Sequence, residues 1–368
     1  MDIDTLLKIC IDKKASDLHL RVGCIPMARV NGDLSPLSQF GKFNPDELTS
    51  LLYSVMNPER IKRYEEHHEA DFAYNLPGMG RFRVNVYQQR GTISSVFRLV
   101  PMSILSIMEL NLPQVIERIS MEPRGLIMVT GTTGSGKSTA LAAMVDHINK
   151  NKTVNIITIE DPIEFLHRDR KGTISQREIG TDTESFSAAL RAALRQDPDV
   201  ILVGEMRDFE TISTALAAAE TGHLVLSTLH TVDAVETINR IIMIFPPYQQ
   251  KQIRLQLASI IKGIISMRLV PRGDGKGRIP AVEVMVSTQT IREAIIDPDK
   301  TRRVHDSIAA GVSQYGMQTF DQSLYGLYKK SLISYDEARK WATNPDDFAL
   351  RAKGIQASGE SWETAVES

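Results

Sequence analysis

Apolar residues recur at helical spacing at Ile3, Leu6, Leu7, Cys10 and Ile11, predicting an amphipathic helix over Ile3–Lys13. Asp17–Val22 alternates polar and apolar, as a half-buried strand does. Met27–Val30 and Asp33–Leu37 flank Asn31-Gly32, a hairpin signal. Helical stretches over Pro45–Met56 and Pro58–His67 follow. Ala70–Leu76, Arg81–Arg90 and Thr92–Leu99 then read as a strand meander. These elements make residues 1–100 a small α+β domain, followed by a linker over 101–112. From Arg124 the pattern changes. Gly125–Thr130, Val154–Ile159, Val200–Val203 and His223–Ser227 are apolar strands. They alternate with helices over Lys137–Asn149, Glu184–Arg195 and the alanine-rich Phe209–Glu220. Such alternation predicts an α/β core over 113–288 with a mostly parallel sheet covered on both faces. Residues 289–355 read as all-helical, with helices over Gln289–Ile296, Thr301–Ala310, Gln318–Lys329, Ser334–Ala342 and Pro345–Lys353. The polar stretch 356–368 reads as a disordered tail.

The composition narrows the class. Lys plus Arg is 43 and Asp plus Glu is 45 among 368 residues, a formal net charge of -2. That balance argues against coating nucleic acid through bulk charge. Two cysteines, Cys10 and Cys24, are too few for a disulfide framework or a four-cysteine zinc site. No apolar run is long enough to span a bilayer, and the first 17 residues carry acids and lysines where a signal peptide has its apolar core. These features predict a reduced, cytoplasmic protein that reaches a membrane only by docking on a partner.

The densest chemical signal is Gly131-Thr132-Thr133-Gly134-Ser135-Gly136-Lys137-Ser138-Thr139, which matches G-x-x-x-x-G-K-[ST] between an apolar strand and a helix. Glycines let the backbone wrap until successive N–H groups point at phosphate oxygens, and the helix that starts there adds its dipole. The motif predicts that Lys137 reaches the β- and γ-phosphates of ATP and that Ser138 ligates Mg2+.

Carboxylates end two neighbouring apolar runs. Glu205 follows Val200–Val203 and is expected in the Mg2+ shell. Glu160, Asp161 and Glu164 fall within five residues after Val154–Ile159. Glu164 is the candidate for orienting or deprotonating the attacking water, with Glu160 and Asp161 as metal-shell or neighbouring groups; a solvated acidic loop is the competing reading. His223 and His230 flank one strand, and the pair predicts a γ-phosphate sensor rather than a metal site, since no third ligand is near.

The phosphate loop, the acidic Ile159–Glu164 box, Asp199–Glu205 with Met206-Arg207-Asp208, and Thr221-Gly222-His223 through His230-Thr231 occur in that order. In this the chain resembles the secretion and type IV pilus hexameric ATPases, over about residues 3–353. Ala15–Leu20 and Gly316–Asp321 are similar to the pilus retraction subgroup. The short N-terminal region and the lack of a four-cysteine module separate it from extension and type II secretion ATPases. Thr290–Ile296 keeps part of the A-I-R-N-L-I-R-E stretch of retraction motors, so a retraction-associated paralogue (PilU type) stays open. The resemblance implies a PAS-like N-terminal domain, a RecA-like core and a homohexamer. It also implies an inner-membrane platform protein (PilC type) as partner and a place at the inner face of the cytoplasmic membrane. In a ring, a neighbour's arginine can stabilise the transferring phosphoryl group. Arg81, Arg83 and Arg98 on the meander are the candidates, with Arg195, Arg207, Arg240, Arg268 and Arg278 behind them. Two other classes compete: a RecA-like nucleic-acid motor, disfavoured by the charge balance and the lack of an aromatic-rich basic strand, and a nucleotide-switched interaction protein with little turnover.

Overall fold

A computed structural model describes residues 2–354 apart from Asn31 and Met102. The expected tail over 356–368 and the Asn31 half of the hairpin turn lie outside the described residues. The chain forms two compact units, one of residues 2–103 with Glu164–Leu166, the other of 104–163 with the residues from 167 on.

The first unit begins with α1 (Ile3–Asp12), capped by the Asp2 carboxylate, which accepts from the Thr5 N–H at 2.8 Å. β1 (Asp17–Arg21), β2 (Met27–Val30) and β3 (Asp33–Pro36) follow, then α2 (Pro45–Tyr53) and α3 (Pro58–His67). Both of those helices start with proline at N1 behind an asparagine cap, the arrangement that needs no first N–H and satisfies a later one. β4 (Glu69–Leu76), β5 (Gly80–Gln89) and β6 (Thr92–Leu99) complete an antiparallel sheet in the order β3-β2-β1-β6-β5-β4. Its inward residues, Leu18, Leu20, Val84, Val86 and Phe97 among them, share one buried cluster with Leu6 and Leu7 of α1 and Leu48 and Leu52 of α2.

The second unit starts earlier than the linker expectation allowed. Ile107 and Leu112 are buried in its core with α4 (Val115–Ser120), so 104–112 belongs to this unit. Next come β7 (Gly125–Thr130), α5 (Lys137–Asn151), β8 (Asn155–Glu160), β9 (Thr173–Glu178), α6 (Phe186–Ala193), β10 (Val200–Val203), α7 (Phe209–Glu220) and β11 (Leu224–Leu229). α8 (Ala234–Met243), α9 (Pro247–Ile260), β12 (Ile261–Pro271) and β13 (Arg278–Val286) then fill a stretch where the sequence pattern defined no element. The seven-stranded sheet runs β13-β12-β7-β11-β10-β8-β9, parallel except for β13 at one edge. Successive residues of one strand enter different cores. Leu126 and Met128 join the side of α6–α9, whereas Ile127 and Val129 join the side of α4 and α5. A strand covered on both faces has no polar phase, which is why β7 and β10 read as unbroken apolar runs.

The helices after β13 divide. α10 (Gln289–Ile296) and α11 (Arg303–Ala310) pack into the α6–α9 core through Ile291, Ile295, Val304 and Ile308. After α12 (Val312–Tyr315), α13 (Phe320–Lys329), α14 (Tyr335–Trp341) and α15 (Pro345–Ala352) close a separate cluster around Phe320, Leu324, Ala338 and Phe348 against Val270 and Ile279 of β12 and β13.

Candidate functional site

β7 ends in the glycine loop, and α5 begins at Lys137. Gly131 has φ +141, and a Cβ there would fall 2.5 Å from both the Met267 carbonyl and Ser135 Oγ. Gly136, at φ +97, is the left-handed cap of α5. The loop is therefore a cradle that side chains at these positions would fill or strain. Lys137 is buried, and its ammonium donates to the Gly131 carbonyl at 2.8 Å and the Thr132 carbonyl at 3.0 Å. Burial lowers its pKa and the Glu205 charge partly offsets this. A buried cation held by backbone carbonyls, with no carboxylate within ion-pair distance among the described residues, fits an anionic ligand. The Ser135 hydroxyl, buried in the same loop, also has no hydrogen-bond partner among the described residues. Thr132, Thr133, Gly134 and Ser138 are exposed, and Thr139 is half-buried.

Glu205 stands two residues past β10, at the same sheet edge. Its Oε1 lies 2.6 Å from Arg207 Nε and 3.4 Å from His230 Nε2. The turn that carries it is fixed from β11: Thr228 Oγ1 donates to the Gly204 carbonyl at 2.7 Å, and the Met206 N–H donates to the Thr228 carbonyl. Thr228 was invisible to sequence reasoning because a buried hydroxyl inside an apolar strand carries no motif. Glu205, Arg207, His230, Thr231, Glu236 and Arg240 line a cleft of about 450 Å³.

Glu160 ends β8 and accepts from Thr158 Oγ1 at 2.6 Å and Gln176 Nε2 at 3.1 Å. Asp161 is exposed. Glu178, buried at the end of β9, accepts the Ile163 N–H at 3.0 Å and so anchors the acidic turn, a role hidden because β9 gave no clear strand pattern. Glu164 is exposed and groups with Phe165 and Leu166 in the first unit, where the Leu166 N–H donates to the Pro101 carbonyl at 3.3 Å.

The histidine pair does not converge. β11 starts at Leu224, so His223 precedes it, and the His223 carbonyl accepts from the Gly125 N–H, at the beginning of β7. His223 Nδ1 is 2.9 Å from the Ala218 carbonyl, at the end of α7. Six residues of β7 separate that end of the sheet from Gly131, roughly 20 Å at the usual rise per strand residue. The expectation of a paired sensor is therefore corrected: His230 sits at the phosphate edge beside Glu205, and His223 ties α7 to the opposite edge.

The arginines are also sorted. Arg98 Nε donates to Asp17 Oδ1 at 2.8 Å inside the first unit, and Arg81 Nη1 donates to Asn75 Oδ1 at 3.1 Å. Arg83 is exposed and pairs in register with Arg98. Arg268 is corrected as a candidate for acting on a neighbour. Its guanidinium lies 3.8 Å over the Phe320 ring and donates to the Trp341 carbonyl at 2.7 Å, so it is spent inside its own unit. Arg207 is held by Glu205.

A glycine cradle on a parallel sheet, a helix N-terminus above it, and a basic and an acidic group at the same strand ends define a nucleotide-binding α/β protein of the phosphate-loop class. The chain belongs to the Type II/IV secretion system protein family, whose model matches residues 90–331. It is 47% identical to the type IV pilus retraction ATPase PilT of Pseudomonas aeruginosa, over 95% of this chain and 100% of that one. It is 39% identical to the type IV pilus ATPase PilU of the same organism, over 96% of this chain and 92% of that one. Its structure is similar to that of the pilus retraction motor PilT with bound ADP, at a TM-score of 0.85 and 45% identity, covering 94% of this chain and 98% of that one.

Proposed function

We propose that this chain is the subunit of a homohexameric ATP-hydrolysing motor that powers type IV pilus retraction. The reading is carried by a complete phosphate loop with Glu205 and His230 at its sheet edge, in a chain similar over 95% of its length to a retraction ATPase. The loop N–H groups and the first turn of α5 bind the phosphates of ATP, and Lys137 exchanges its carbonyl partners for phosphate oxygens. The hydroxyl of Ser138 and the carboxylate of Glu205 are hard oxygen donors and fit Mg2+, which when bound neutralises phosphate charge. Glu164 orients or deprotonates the water that attacks the γ-phosphorus, giving ADP and phosphate, and Glu160 completes the acidic edge. His230 reports the γ-phosphate through its Glu205 contact. Arg81, Arg83 and Arg98 supply positive charge across a subunit boundary.

In this reading the ring works in the cytoplasm, at the inner face of the cytoplasmic membrane. It docks on an inner-membrane platform protein of the PilC type and does not act on nucleic acid. No helix among the described residues is long and apolar enough to cross a membrane. The Lys137→Ala and Glu164→Gln variants are expected to lose ATP turnover by at least roughly 100-fold; wild-type rates in both overturn the catalytic assignment. Deletion in the host is expected to leave hyperpiliated, non-motile cells. Bald cells indicate extension, retained retraction indicates a paralogue's auxiliary role, and DNA-stimulated hydrolysis indicates a nucleic-acid motor.

A further inference from the structure

Glu283 lies in β13, outside the sequence motifs, and is 2% exposed. Its Oε1 accepts from the Ala234 N–H at 2.9 Å, at the first residue of α8. The level of the sheet at which this happens is informative. Leu229, Thr130, Ser266 and Glu283 are register partners across β11, β7, β12 and β13. Thr130, immediately before the phosphate loop, donates from its hydroxyl to Ser266 Oγ at 2.9 Å. One row of side chains thus runs from the base of the phosphate loop to Glu283. The segment His230–Asp233 leaves β11 at one end of that row and returns to the sheet three strands away, where Ala234 meets Glu283.

Short contacts bind that segment to the first turns of α8. Asp233 accepts the Glu236 N–H at 2.7 Å, Glu236 accepts the Val232 N–H at 2.8 Å, and the Thr231 and Thr237 hydroxyls are 2.7 Å apart. The segment that follows His230 is therefore tied to the beginning of α8, and Glu283 holds that beginning to the strand row under the phosphate loop. An ionisable group is an unusual choice for a buried anchor.

We infer that Glu283 is a positioning residue for hydrolysis, one that fixes where His230 stands relative to the phosphate loop by accepting the Ala234 N–H at the start of α8. The groups that face it are Asp233 before α8, Arg268 on β12 and Asp321 on α13. Arg268 is committed to Phe320 and Trp341, and Asp321 accepts the Thr343 and Asn344 N–H groups at 2.6 and 3.0 Å. The anchor is thereby also adjacent to the C-terminal helical cluster. Burial pushes the Glu283 carboxyl up to about 7, with Asp233 and Asp321 adding to the rise and Ala234 and Arg268 opposing it.

This inference rests on the ATPase reading, so its test includes a readout that needs no turnover. In the full-length chain, Glu283→Met keeps the volume and removes the acceptor, whereas Glu283→Gln keeps an acceptor oxygen. Glu283→Met is expected to speed amide exchange across 230–234, lower kcat at least roughly tenfold and leave KM for ATP within about twofold. Glu283→Gln is expected to retain protection of 230–234 and most of kcat, and to flatten any limb of the kcat–pH profile near 7. Unchanged exchange and kcat in Glu283→Met overturn the inference. So does a folded Glu283→Gln variant whose exchange across 230–234 is clearly faster than in the wild-type chain, and this readout stands even if Glu283→Met fails to fold or the chain proves to have no turnover.

Discussion

The two sheets of this protein handle most of their polar residues differently. In the antiparallel sheet of the first unit, burial alternates along β5 and charges such as Arg83 stand on the outer face, while Asp17 of β1 and Ser94 and Ser95 of β6 are buried. In the parallel sheet of the second unit, β7, β10 and β11 are buried at every position. A polar residue on the outer face of the first sheet can be accommodated by water. One in the second sheet must find a partner inside the protein, because an unpaired buried hydroxyl or carboxyl is costly. Thr130 has Ser266, Ser227 has the Val203 carbonyl, Thr228 has the Gly204 carbonyl and Glu283 has the Ala234 N–H. Each of these bonds ties down either the phosphate edge or the segment leading from it. Buried polar groups in the second sheet therefore mark the site, whereas exposed charges in the first do not by themselves.

This contrast can be broken most severely at the loop. Lys137→Ala is expected to abolish ATP turnover while thermal unfolding stays near wild type, because in this structure the lost group meets two loop carbonyls rather than a core; a calorimetric scan beside an ATPase assay checks both. Leu226→Ala, in a strand covered on both faces, is expected to cost about 2–5 kcal/mol in denaturant titration, more than truncating the half-buried Tyr87 of β5.

Glu283→Gln sharpens the contrast through pH. The folded carboxyl titrates near 7 against an ordinary value of 4.5, so between these values the folded state binds the extra proton. Its contribution is fully present below about 4.5 and is lost as pH rises through about 7, with a slope of at most about 1.4 kcal/mol per unit. The variant is expected to remove that slope from stability measured across this window. Asp17→Asn is expected to show the smallest effect and the opposite sign. Burial raises the Asp17 carboxyl, but hydrogen bonds from Arg98 and Ser16 and the Arg98 charge outweigh it and leave the group below its ordinary range. That stabilisation is present above pH 3.8, the ordinary value, and is lost as pH falls through the lower folded value. Because Arg98 is largely exposed, the loss at neutral pH is expected to be no more than about 1 kcal/mol.

Local patterns made much of the molecule legible. The phosphate loop is contiguous, so its residue types and its strand–helix context both appear in one short window. The meander of the first unit was readable because one face is wet and the other dry. β12 was not readable, since α9 ends at Ile260 and β12 begins at Ile261 with no turn residue between them. β9, with Thr173, Gln176 and Arg177, is too polar to resemble a sheet strand, yet it lies at the open edge beyond β8 where polar groups are tolerated. The histidine pair misled because a strand of six residues separates its two ends, a distance that spacing in the sequence understates.

What the amino-acid order determined by itself is whatever depends on neighbours in the chain: the helix caps, the hydrophobic period of each element, the glycine cradle and the α/β alternation. The tertiary structure alone decided which strands lie side by side, and with that the row from Thr130 to Glu283, the separation of His223 from His230, and the withdrawal of Arg268 into its own unit. Parallel neighbours are joined by long crossovers, so their pairing is selected by packing on both faces of the sheet, and no local stretch of sequence encodes it.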